Sequence, residues 1–128
     1  MLDVKVTLRI TSKVLSLDRI ISVLGKGNAN GFSIGDTYAR NRRIRQHSAW
    51  YMESDISQTE PTEKHIKLLL LFVEENIEQI EQLREDCEID LFCFAGTDNG
   101  QGAIKIPVEV SKQISEFKLP LLIDIHAT

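Results

Sequence analysis

Long apolar runs are missing from this chain. The longest, residues 68–73, holds six side chains, where a membrane-spanning helix needs about 20. The first residues alternate polar and apolar and contain no apolar stretch of the secretory kind. No membrane segment is expected, and a cytoplasmic location follows by default. Cysteine is scarce too. Cys87 and Cys93 are the only two, which leaves neither a disulfide framework nor a metal-ligand spacing, so both are expected as reduced thiols. A surplus of base is also absent, because 15 Lys and Arg face 19 Asp and Glu for a net charge of −4. That balance argues against a general nucleic-acid binder.

What is present is ordinary in amount and uneven in placement. Apolar residues are 42% and charged residues 27% of 128, a globular composition with room for one core, so a single domain spanning 1–128 is expected. Between positions 74 and 90 eight acids (Glu74, Glu75, Glu78, Glu81, Glu85, Asp86, Glu88, Asp90) accompany one base, Arg84. Between positions 40 and 45 four of six residues are arginine: Arg40, Arg42, Arg43 and Arg45. The chain is electrically two-ended.

Periodicity supplies the fold class. Val4, Val6, Leu8 and Ile10 alternate with Lys5, Thr7 and Arg9, the period of a strand with one wet face. Ser16 can cap a short helix carrying Leu17, Ile20, Ile21 and Leu24, with Gly25 as its stop. A loop rich in Gly and Asn follows over 25–36, with room for a short strand at 31–34. Residues 47–56 read as a strand around Trp50, expected in the core. One long helix of roughly seven turns is expected from Thr59, its cap, through Ile66, Leu69, Leu70, Val73, Ile77 and Ile80. Ile89, Leu91, Cys93 and Ala95 then form a central strand covered on much of both sides, and Asn99-Gly100 signals a hairpin returning over 103–106. Pro107 opens a last helix, Leu119-Pro120 ends it, and Leu121, Ile123 and Ile125 make a final strand. The sum is an α+β two-layer sandwich, ferredoxin-like in spirit. Its mainly antiparallel sheet of about five strands carries helices on one face.

Reactive chemistry is not legible in this pattern. The Gly25 to Gly31 stretch has the glycines of a phosphate loop but follows a helix and opens none, so it reads as a plain loop. His47, His65 and His126 sit on different elements without metal or nucleophile spacing and read as surface or edge residues. Asp98 and Asn99 lack the acid series of a calcium loop. No catalytic residue, metal or cofactor is expected. The arginines read as an exposed loop neutralised by the acidic helix, or as a contact for phosphate or for a partner's acids.

The Gly35-Asp36 step, Trp50 opening a strand, the Leu-rich helix over 66–83, the Cys-bearing strand over 89–94 and the closing Leu-Pro-Leu-Leu-Ile-Asp-Ile over 119–125 together resemble a bacterial domain-of-unknown-function family, family 4279. Small acidic members of such families are similar to immunity proteins of bacterial toxin systems. The resemblance implies a non-catalytic binding protein that neutralises a toxin domain, such as a nuclease in contact-dependent inhibition. Its contact residues would be Glu74, Glu75, Glu78, Glu81 and Glu85, with Arg40, Arg42, Arg43 and Arg45. Two other readings stand beside it. One is a small anion- or nucleotide-binding module or enzyme using Arg40, Arg42, Arg43, Arg45 and His47; the other is a homo-oligomeric structural domain pairing through a free sheet edge. The partner expected is a cognate toxin protein, with no nucleic acid and no membrane, and with the chain as a monomer or homodimer.

Overall fold

A computed structural model describes residues 2–40 and 42–127. Strand β1 (Leu2–Ser12) lies in the middle of a four-stranded sheet of order β4-β1-β5-β6, with β4 (Ser48–Glu53), β5 (Glu88–Thr97) and β6 (Leu121–Ala127). Its pairings with β4 and β5 are antiparallel, and β5 with β6 is parallel. Helices α1 (Leu17–Leu24), α2 (Thr62–Glu75), α3 (Ile77–Leu83) and α4 (Val108–Glu116) complete a two-layer α+β sandwich. The alternation read in β1 is what builds it. Val4, Val6, Leu8 and Ile10 are buried with Ile89, Leu91, Cys93 and Ala95 against Ile20, Ile66, Leu69, Leu70, Val73, Ile80 and Val110, while Lys5, Thr7 and Arg9 turn to the open face. Trp50 is in the core, stacked on Phe72 with centroids 6.0 Å apart, and its indole N–H donates to the Gly25 carbonyl at 2.9 Å.

Four expectations give way to local chemistry. The long helix is two helices, broken at Asn76, whose φ of −119° leaves the helical well. The Asn76 amide donates to the Phe72 carbonyl at 2.9 Å, the side-chain competition for backbone that disfavours Asn inside helices. Thr59 is not the cap. It bonds the Ser57 hydroxyl in the preceding turn, and Pro61 takes the cap position with Thr62 first in the helix. The turn at Gly100 (φ +75°) exists, held by Thr97 Oγ1 donating to the Gln101 carbonyl at 2.7 Å, but residues 103–106 form no strand. Strand β5 already has β1 on one side and β6 on the other, so a returning strand would find no edge. Finally, β5 is covered on one face only: Phe94, on the other, is 40% exposed. Among the described residues no helix is long and apolar enough to cross a membrane.

Candidate functional site

The arginines do not lie in an irregular loop. They form the far end of a two-stranded ribbon, β2 (Thr37–Tyr38) paired with β3 (Arg43–Ile44) in the register Thr37 with Ile44 and Tyr38 with Arg43. Its turn needs left-handed backbone at Ala39 (φ 61°) and Arg42 (φ 54°). The base is tied where the Gly35 N–H donates to the Arg45 carbonyl and the Arg45 N–H to the Asp36 carbonyl, at 3.0 and 2.7 Å. Asp36 Oδ2 also accepts from the Ser33 N–H at 2.8 Å. Arg45 is the pin: its guanidinium lies 3.8 Å from the Phe32 ring centroid and 4.0 Å from that of Tyr38, a cation between two π faces. Phe32 in turn meets His47 and Tyr51 edge-on. Arg40, Arg42 and Arg43 are exposed and outside every ion pair among the described residues.

The acidic helix therefore does not neutralise the arginines; no salt bridge joins the two among the described residues. Glu74 and Glu75 end α2, Glu78 and Glu81 lie in α3 and Glu85 follows it, all exposed. Glu81 alone is engaged, accepting from Arg84 Nε at 3.0 Å. Arg84 explains its isolation among acids: its other nitrogens donate to the carbonyls of Phe117 and Lys118, tying the end of α3 to the end of α4. Arg84 and Glu81 are thus a joint of the fold.

Between the β1–α1 turn and the α3–β5 turn a cleft of about 560 Å³ is lined by Ser12, Lys13, His47, Arg84, Asp86 and Cys87. Ser12 Oγ donates to the Asp86 carbonyl at 2.7 Å and accepts the amides of Val14 and Leu15, which saturates it. Burial pushes the Cys87 thiol up by more than the nearby Ser12 hydroxyl draws it down, and burial alone raises Cys93. Both are free thiols held protonated, the reverse of an activated nucleophile. No group of three or more His, Cys, Asp or Glu suited to a metal occurs among the described residues. Of the five residues of the anion-site reading, Arg45 is stacked between Phe32 and Tyr38, His47 packs on the same Phe32 and lines the cleft, and the other three stand at the ribbon's turn and on β3.

One of the three histidines corrects the surface or edge reading. His65 is buried, its Nδ1 2.5 Å from Ser54 Oγ, and His47 is half-buried against Phe32. His126 is exposed, paired to Asp124 at 3.0 Å and stacked on Phe94. Sequence reasoning also missed the Arg9–Asp90 pair, two hydrogen bonds of 2.8 and 2.7 Å with the guanidinium over Phe92. Only the register of β1 on β5 places those residues opposite each other. Comparison with curated proteins and with solved structures finds no match. The family comparison does: a family model described as a domain of unknown function (DUF4279) matches residues 3–128, and the chain belongs to that family.

Proposed function

We propose that the protein is a non-catalytic, cytoplasmic binding protein that neutralises a basic partner, an immunity protein acting on a bacterial toxin domain such as a nuclease. The observation that carries this reading is the exposed acidic surface across α2 and α3. Glu74 and Glu75 occupy the last turn of α2, which holds no base. A helix C-terminus disfavours an anion there by about 0.3–1 kcal/mol. Four carboxylates, Glu74, Glu75, Glu78 and Glu85, thus stand without ion pairs among the described residues, on a helical scaffold. Carboxylates held so meet a cationic nucleic-acid cleft without reorganisation and accelerate encounter. The ribbon arginines supply a second surface of opposite sign, suited to acids at the rim of the same partner.

The test begins with capture of the partner from the native cell and uses lysine at Glu74, Glu75 and Glu78, leaving Glu81 to hold Arg84. The melting temperature should move little, and association with the captured toxin should slow roughly tenfold at low salt. An unchanged association rate and undiminished protection from the toxin would remove the acidic face from the contact and overturn the reading.

A further inference from the structure

The sheet's two outer strands are treated differently. Along β4 the chain of 28–34 lies as a cover. Phe32 and Ala49 exchange backbone hydrogen bonds of 3.0 and 2.9 Å, Asn28 bonds the backbone of Glu53 at both N–H and C=O, and the Ile34 N–H donates to Ser48 Oγ at 2.8 Å. Along β6 no such cover exists among the described residues. The Leu91 N–H donates to the Pro120 carbonyl at 2.9 Å, so in the parallel ladder Leu122, Asp124 and His126 turn their amides to β5. Ile123, Ile125 and Ala127 turn theirs outward. Strand β6 has no proline, no lysine and no bulge to blunt it, and Leu122, Ile123 and Ile125 are 51%, 39% and 60% exposed.

We infer that β6 is a self-pairing edge whose occupant is the β6 strand of a second copy, antiparallel about a twofold axis at Ile125. Charge and chemistry select both the partner and the register. An axis at Asp124 would set Asp124 against its own copy, and an axis at Ile123 would set Asp124 against Leu122. Asp124 and His126 already pair within each strand at 3.0 Å, and an axis at Ile125 lays the two pairs side by side in reverse order, so that each Asp124 also lies opposite the copy's His126. On the helix side the same axis sets Ile125 against Ile125, and Ile123 against Ala127. Both faces are then complementary, and the outward amides of Ile123, Ile125 and Ala127 meet carbonyls, because odd-numbered positions face odd-numbered ones. The product is one eight-stranded sheet with all helices on one side.

Sedimentation velocity from about 1 to 200 µM tests this. The parent should pass from monomer to dimer across that range. Ile125→Lys, at an exposed position, should keep the monomer's circular dichroism and weaken dimerisation by roughly tenfold or more, through like charges on the axis. His126→Asp should weaken it similarly by facing Asp124, and Asp124→Lys with His126→Asp should restore the parent's association. A parent that stays monomeric, or single variants that dimerise like the parent, would overturn the proposal. A charge-swapped double variant without recovery would overturn the register.

Discussion

His65 is a buried imidazole with an unmet polar atom. Nδ1 meets Ser54, but Nε2 has no hydrogen-bond partner among the described residues. Burial lowers its affinity for a proton, opposed less strongly by the carbonyls of Ser57 and Glu60 and by the Glu60 charge. The sign of the pH effect follows. Above the ordinary value of 6.5 the ring is neutral folded or unfolded, and it contributes no pH dependence. As pH falls below 6.5 the unfolded chain takes the proton first, so stability is lost from there down to the lower folded value and then levels off. Urea midpoints at pH 7.5 and 5.0 should fall further for the parent than for His65→Gln. Equal losses would assign the acid sensitivity to other groups. The sequence could not show this histidine's setting, because burial of position 65 depends on how α2 meets β1 and on the turn that brings Ser54 to it. Trp50 was legible for the opposite reason: an indole alone in the chain has little choice but the core.

At the level of elements, capping residues and apolar periods carried most of the information. Ser16 and Gly25 bracket α1 as read, with Ser16 Oγ accepting the Arg19 N–H, and Pro107 and Pro120 bracket the segment holding α4. The ribbon β2–β3 was not readable, because its stability is not in its strands. Two residues on each side cannot hold a ribbon in water. The Phe32-Arg45-Tyr38 stack can, and Phe32 is fixed by its bridge to Ala49 and its edge contacts with His47 and Tyr51, none of them visible in the sequence of the ribbon itself. Arg45→Ala should therefore loosen the ribbon while costing the whole fold only about 1 kcal/mol, the scale of an exposed cation–π contact. Limited trypsin digestion should cut after Arg40, Arg42 and Arg43 several-fold faster in the variant. Unchanged cleavage would mean that the ribbon stands on its backbone contacts alone.

At the scale of the molecule, the layered α+β class was legible from the sequence and the strand order was not. Patterns along a chain report which face of each strand is buried; they do not report its neighbours. Here β1 is joined to β4 and β5, and the register runs Thr11 to Ala49 on one side and to Glu88 on the other. The sheet's centre thus rests on pairings distant in sequence, which slow folding relative to local ones. Refolding followed by Trp50 fluorescence should take milliseconds to seconds, and a microsecond phase that completes the burial of Trp50 would contradict that expectation.

The central position of β1 has a further consequence on the ribosome. Of the sheet's strands β1 is made before the others, and its second neighbour, β5, is complete only about 85 residues later, a wait of roughly 4–17 s at ordinary elongation rates. During that interval Val4, Val6, Leu8 and Ile10 belong to an amphipathic segment that lacks at least one of its two neighbours. The nascent chain is then a substrate for whatever holds apolar strands in the cell. Slowing translation between residues 12 and 97 lengthens that exposure.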